Sequence, residues 1–326
     1  MELSIIIPVY NGEKYIKECL NSIYNPLLDN IDWFEVIIVN DGSIDNTASM
    51  ISKYKYENLK IFNNDNNGVS YSRNYGLSKS SGKYIMFVDA DDKLKEDWSK
   101  TIKTKLENNK DFLYFRKDEN LICSDKNDLI YEILGMKETN HYLSTPWAKI
   151  FKKDILNSNN IQFNRKIING EDMLFNLKYI IECKDFEIIN NCIYQYRLTP
   201  NSLTKSFNNK IFDSDKEFHF CLGKLLEETK MDINEKEVIQ KRSRTNALYL
   251  LLKRISYIKE YRDAKNYYKQ IDKEYYSKNL VKETNIIQKI SFFLFLKNLF
   301  LLLYVYLTII NKVLYKMNNS EKFVEI

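Results

Sequence analysis

The sequence predicts an α/β fold, a mostly parallel sheet flanked by helices and followed by a helical C-terminal region. Two observations lead there. Within the first hundred residues, short β-branched and aromatic runs of strand length alternate with stretches of helical spacing. Those runs lack polar alternation, so both faces of each strand are covered, which is the mark of a parallel sheet between layers of helices.

The first run, LSIIIPV at 3–9, precedes a helix over 13–24 in which Ile16, Leu20 and Ile23 share one face. FEVIIV at 34–39 is followed by a helical stretch at 45–54, and the run at 59–62 by one at 69–79. The fourth strand is YIMFV at 84–88. A mixed segment covers 101–210, and from about 211 the pattern is helical, with runs at 215–229 and 235–258. No internal repeat or flexible linker marks a boundary. The expected domains are therefore 1–210 and 211–326.

Composition narrows the classes of function. With 326 residues and 44% hydrophobic content the chain is long enough for a sizeable core. Its 8 glycines and 4 prolines exclude collagen-like and low-complexity chains. A net charge of +5, from 49 basic and 44 acidic residues, is too mild and too evenly mixed for a nucleic-acid partner. Cys19, Cys123, Cys183, Cys192 and Cys221 form no CxxC pair, and an odd count argues against a disulfide framework, so a reducing cytosol fits best. The opening MELSIIIPVYNGEKY lacks both a basic stretch and a small-residue cleavage site and reads as a buried strand rather than a signal peptide.

One long helix is expected over 286–317. Its core ISFFLFLKNLFLLLYVYLTII approaches the length of a span, but Lys297 and Asn298 interrupt it. Lys289, Lys297, Lys312 and Lys316 would meet anionic headgroups while leucines and aromatics enter the acyl boundary. The expectation is a peripheral protein on the inner face of the cell membrane, with core packing, a homo-oligomer interface or a true span as the alternatives for this helix.

In parallel α/β sheets, ligands sit at the carboxyl ends of the strands. There the sequence places Tyr10, Asn11, Gly12 and Glu13, then Asn40, Asp41, Gly42 and Ser43, then Asp89, Ala90, Asp91 and Asp92. Two carboxylates at Asp89 and Asp91 suit a hard divalent cation such as Mg²⁺ or Mn²⁺, which takes one or two carboxylates plus substrate phosphates. Equally, an acidic strand-to-helix turn with Asp92 as a cap would read the same way. Asp41 can accept hydrogen bonds from a nucleobase or ribose, although Asp-Gly-Ser is also ordinary turn chemistry. Asn66-Asn67-Gly68 reads as a turn, and Arg73 on the following helix can reach a carboxylate or phosphate. Glu171 and Asp172 follow Gly170 in the first turn of a helix, where the macrodipole stabilises acids by up to about 1 kcal/mol. Asn169 would be the cap, and one of the acids a general base.

Taken in order, PVYNGEKYIKECLNSI, VNDGSIDNT, NNGVSYSRNYGL, GKYIMFVDADD, TPWAKIFKKDIL and NGEDMLFNLKYI resemble a family 2 glycosyltransferase of the GT-A (Rossmann-like) fold. The resemblance is strong over 1–100 and extends to about 205. It implies an inverting enzyme that takes a nucleotide-diphosphate sugar, usually of uridine, and passes the sugar to a hydroxyl of a glycan or lipid-linked glycan, as in capsule, lipopolysaccharide or other surface polysaccharide synthesis. Residues 1–100 would then bind the donor and 101–210 would carry the base and the acceptor side. Pro8, Val9, Tyr10, Asn11 and Glu13 would form the first wall of the nucleotide pocket. Asp41 would hold the base, Arg73 the pocket or phosphates, and Asp89 the ribose, with Ser43, Gly68 and Ala90 completing the donor set. Asp91 would ligate the divalent metal, Mn²⁺ or Mg²⁺. Asp172 matches the catalytic base, with Glu171 placing it. Trp147 and Lys149 match a WxK element between donor and acceptor regions, and Arg197 with Asn201-Ser202 resembles an element that closes on the diphosphate.

The rival reading is a non-catalytic nucleotide-sugar-binding or scaffolding protein at the membrane, against which the joint presence of Asp41, Asp89, Asp91 and Asp172 speaks. A sugar nucleotidyltransferase would need a Gly-rich N-terminal loop and following Lys, and a haloacid-dehalogenase phosphatase a Thr or Val where Lys93 stands.

Overall fold

The computed structural model describes all of residues 1–326 except 26–30, 118–124, 137–140, 199–206, 278–279, 281–283, 318–321 and 326. It contains two compact units. The first comprises residues 1–165, 170–197 and 323–326, and the second residues 166–169 and 198–322.

In the first unit the chain runs β1 (Leu3–Val9), α1 (Ile16–Tyr24), β2 (Phe34–Asp41), α2 (Thr47–Ile51), β3 (Leu59–Asn64), α3 (Val69–Lys79), β4 (Tyr84–Phe87), β5 (Lys93–Leu94), α4 (Trp98–Leu106), β6 (Phe112–Arg116) and α5 (Lys126–Ile133). It continues through β7 (Lys149–Lys152), α6 (Lys153–Ser158), α7 (Glu171–Glu182), β8 (Phe186–Asn190) and β9 (Tyr194–Leu198). Seven strands form one sheet in the order β3-β2-β1-β4-β7-β6-β8. β1 runs parallel to both β2 and β4, and β2 parallel to β3. Only β7 is reversed, antiparallel to β4 and β6. Every residue of β1 and β2 is buried, as expected of strands covered on both faces.

This order places the carboxyl ends of β1, β2 and β4 side by side. Helix α3 lies close to the sheet because the residues it buries are mostly small: Ser70, Ser72 and Gly76, together with Arg73. A Cβ on Gly76 would lie 2.4 Å from the Ile6 side chain, so any larger residue there would push the helix off the sheet. Close seating of α3 is what brings Arg73 down to the sheet's edge.

The second unit is helical: α8 (Ile211–Glu227), α9 (Ile233–Ile255), α10 (Tyr261–Gln270), α11 (Lys273–Ser277), α12 (Ile286–Leu296) and α13 (Phe300–Met317). Its core gathers Leu248, Leu252, Ile255, Tyr268, Phe295, Leu303 and Leu307. Capping boxes start α9 (Asp232 with Glu235) and α12 (Asn285 with Gln288). The segment expected as one helix over 286–317 is two. Asn298 takes φ 60°, Leu299 N–H bonds the Leu294 carbonyl and Asn298 N–H bonds that of Phe295, which is a Schellman stop. Asparagine tolerates the left-handed conformation, so the residue that interrupts the apolar run also ends the helix. No helix among the described residues is long and apolar enough to cross a membrane.

Beyond the second unit, β10 (Lys322–Glu325) pairs with β9, which also pairs antiparallel with β5, to make a three-stranded sheet. Cys19, Cys183, Cys192 and Cys221 are free thiols, and Cys123 lies outside the described residues.

Candidate active site

At the edge formed by β1, β2 and β4, two loops are laced together. Asn11, at φ 51°, accepts the Ile44 N–H on its side-chain oxygen (2.9 Å) and donates its own N–H to Ser43 Oγ (2.9 Å). Gly12 N–H donates to Thr47 Oγ1 (2.8 Å), Glu13 N–H to Asp45 (3.1 Å), and Asn46 returns two bonds to the Glu13 carboxylate. Pro8 and Val9 are buried beneath this lacing, whereas Tyr10 is 47% exposed and free to meet a ligand.

Asp41 ends β2 and is 4% exposed. Its two carboxylate oxygens accept the backbone N–H groups of Asn67 (2.9 Å) and Gly68 (2.7 Å), so it ties down the loop that opens α3. Gly42 turns the chain away at φ 71°, and a Cβ there would meet Asn66 N at 2.7 Å. Gly68 is exposed at φ 91°, a conformation that glycine adopts freely.

Arg73 joins the two halves of the site. Its guanidinium is 4% exposed and donates to Asp172 Oδ1 at 2.6 Å and to Asp89 Oδ1 at 3.0 Å, while Phe163 lies 5.2 Å beneath it. Desolvation opposes the charge on Arg73, but Asp172 and Asp89 outweigh it and hold the proton on. Asp172 retains 27% side-chain exposure, and its Oδ1 is paired with Arg73. Burial pushes its pKa up, against the pull of Arg73. Burial and the Asp172 charge push Glu171 up to about 8. The expected cap Asn169 does not cap α7. Gly170, in the left-handed conformation, begins that helix, and Asn169 instead accepts from Arg254 (2.7 Å).

The turn after β4 carries three acids in different states. Asp89 is paired with Arg73. Asp91 has no ion pair among the described residues, and burial together with the Asp89 charge raises it to about 6. Asp92 is fully buried and caps no helix. Its carboxylate accepts the Tyr194 hydroxyl (2.7 Å) and the Arg197 N–H (2.7 Å), and burial with the Asp89 and Asp91 charges raises it to about 8. Among the described residues no group of three or more His, Cys, Asp and Glu is placed to hold a metal. A cation at Asp91 would therefore take most of its ligands from a diphosphate and water, which suits Mg²⁺ and ions like it. Ala90 lies between the two acids, partly exposed.

Trp147 and Lys149 are not at an open surface. Trp147 is 3% exposed and stacks between Tyr194 (5.0 Å) and Tyr196 (5.4 Å). Lys149 is wholly buried, donates to the Trp147 carbonyl (3.2 Å) and lies 4.6 Å over Tyr114. Burial holds its pKa well below the usual lysine range. Arg197 bonds the Asp91 carbonyl oxygen through Nε (2.8 Å) and Glu18 through Nη2 (2.8 Å). Asn201 and Ser202 lie outside the described residues.

With this geometry in hand, the match to a family model is informative: residues 4–167 match that described as Glycosyl transferase family 2. The chain belongs to glycosyltransferase family 2. Its matched span covers every strand-end carboxylate of the site and stops just short of Asp172. Among family relatives, the chain is 26% identical to EpsH of Bacillus subtilis (strain 168) over 228 residues, 65% of each chain. It is 29% identical to the poly(ribitol-phosphate) beta-N-acetylglucosaminyltransferase TarS of Staphylococcus aureus (strain MW2) over 204 residues, 60% of this chain and 35% of TarS. The chain spans between 32% and 65% of the length of the first curated relatives it matches. A crystal structure of S. aureus TarS 1-349 in complex with UDP-GlcNAc shares the fold, with a TM-score of 0.57 at 18% identity over 96% of this chain and 92% of that one.

Several members of the site were not singled out from sequence. Phe163, Tyr194, Asp45 and Thr47 act through packing and hydrogen bonds to residues distant in sequence, and only the last two carried a local signal, in the DGSIDNT turn.

Proposed function

We propose that this chain is an inverting glycosyltransferase that moves a sugar from a UDP-sugar to a hydroxyl of a glycan or lipid-linked glycan, in the synthesis of a surface polysaccharide. The observation that carries this reading is the Arg73 bridge. One buried guanidinium binds Asp172 of α7 and Asp89 just after β4, which supports a base lying beside the strand-end carboxylates. UDP as the nucleotide is supported by the TarS structures, whose complexes contain UDP and UDP-GlcNAc.

Asp172 has one oxygen anchored by Arg73, and the other accepts the proton of the acceptor hydroxyl. The acceptor's oxygen, as it loses that proton, attacks the anomeric carbon from the face opposite the nucleotide. A carbon–oxygen bond to the acceptor forms as the bond to the diphosphate breaks, and the configuration inverts in one displacement. Asp91, with its high proton affinity and no ion pair, is the residue that would hold Mn²⁺ or Mg²⁺. Such an ion, when bound, neutralises charge building on the departing diphosphate. With a panel of UDP-, GDP- and dTDP-sugars, UDP release from a UDP-sugar is expected. Tight donor binding with no nucleoside diphosphate released from any donor, acceptor extracts included, would instead identify a binding protein.

The acceptor side of the proposal includes the membrane surface. Ile286, Phe293, Leu302, Val305, Ile309 and Val313 are at least 47% exposed along α12 and α13. Residues 286–317 contain Lys289, Lys297, Lys312 and Lys316 and no Asp or Glu. A second copy would bring lysines against lysines, whereas an anionic lipid surface matches both the charge and the apolar face. Co-sedimentation with vesicles containing phosphatidylglycerol is expected, and it should fall by at least about tenfold in 0.5 M salt or on phosphatidylcholine alone, as roughly 1 kcal/mol per lysine implies. Equal recovery on both lipids would refute the electrostatic part.

A further inference from the structure

Arg197 is held by segments remote from one another in sequence. Its N–H donates to Asp92 Oδ1 (2.7 Å), its Nε to the Asp91 carbonyl oxygen (2.8 Å) and its Nη2 to Glu18 (2.8 Å). The guanidinium carbon lies 4.7 Å from the centre of the Tyr15 ring and 4.3 Å from that of Phe323, and the side chain is only 6% exposed. Phe323 belongs to β10. Its ring is also 3.9 Å from Lys93 Nζ, and its neighbour Val324 packs on the first unit's core. Glu325 pairs with Lys95 (3.4 Å) and Lys117 (3.1 Å).

From these contacts we infer that β10 is a positioning element of the donor site, in which Phe323 holds Arg197 against the Asp91–Asp92 turn. A guanidinium stacked on a ring and shielded from water has few orientations open to it, and the bond from Nε fixes the peptide at Asp91. Fixing that peptide sets the direction in which the Asp91 side chain leaves the backbone. Lys93, two residues further on, is drawn to the same ring, so Phe323 anchors the turn at two cations. Glu325 keeps the strand in place by pairing with lysines on either side. The last strand in the sequence thus completes a sheet whose other strands, β5 and β9, flank the acidic turn and carry Arg197.

The inference rests on the proposed function in taking Asp91 as the carboxylate that meets metal and diphosphate. Its test compares Phe323→Leu, which keeps an apolar strand residue without a π face, with Phe323→Tyr, which keeps the ring. Hydrogen exchange of the full chain without ligand reads the turn directly, at the amides of 89–95 and at Arg197. Titration calorimetry with UDP and Mn²⁺ reads the consequence. Phe323→Leu is expected to speed exchange at those amides about tenfold and to weaken UDP·Mn²⁺ binding about tenfold, while Phe323→Tyr matches the parent in both. Unchanged exchange in Phe323→Leu, or equal losses in the two variants, would overturn the inference. If the parent chain binds no UDP·Mn²⁺, the donor-site reading fails, and the exchange comparison still decides the role of Phe323. Should Phe323→Leu not fold, Phe323→Met serves as the ring-free variant.

Discussion

Asp172→Asn is expected to lower kcat by about 10²–10⁴ while leaving UDP affinity within a few-fold of the parent. The amide is isosteric, and its oxygen can still accept from Arg73, so the architecture around the 2.6 Å contact should survive. What disappears is the oxygen that accepts the acceptor's proton. The parent should show an acid limb in kcat, because the base must be ionised. Burial raises its pKa, so activity should fall with decreasing pH before the ordinary carboxylate range of about 4 is reached. In the variant that limb should vanish. Activity equal to the parent's, or an unchanged pH profile, would remove Asp172 from the chemistry.

Asp91→Ala should abolish the contribution of Mn²⁺ or Mg²⁺ to UDP binding. In the parent, affinity for UDP with the ion should exceed affinity without it. The advantage should decline by about tenfold per pH unit below about 6, where a proton competes for the carboxylate that burial and Asp89 have made basic. In the variant, affinities with and without the ion should coincide at every pH. Asp89 is already paired with Arg73 through Oδ1, which makes it the weaker ligand of the two. Retention of the ion's effect in Asp91→Ala would place the metal elsewhere.

Much of this was legible before any coordinates. Strands β1, β2 and β4 are long apolar runs, and an unbroken apolar run allows few alternatives within an α/β pattern. Helix α3 matched its expected bounds of 69–79 although its buried residues are mainly serine and glycine rather than large apolar ones. The carboxylates were legible because they directly follow those strands, where topology rather than side-chain packing decides position. Harder to read was how each acid is used. Asp92 looked like a cap and is instead a buried acceptor for Tyr194 and Arg197, contacts that span about a hundred residues of sequence. Trp147 and Lys149 carry a family likeness but no sign of depth, and their burial rests on contacts distant in sequence, Tyr194 and Tyr196 on the indole and Tyr114 under the lysine. The stop between α12 and α13 was visible as Lys297-Asn298, yet a hydropathy pattern does not report φ.

The tether at Asp41 has a consequence for how the two ends of the cleft communicate. Both its oxygens grip amides at the threshold of α3, and Arg73 stands five residues on, about 7 Å along the axis at 1.5 Å per residue. One short helix therefore links the two contacts. On the proposed roles of Asp41 and Asp172, a ligand that loosened or tightened that grip would shift the guanidinium paired with the proton acceptor. Recognition and reactivity would then share one helix, so a nucleotide with the wrong base is expected to be penalised in turnover as well as in occupancy.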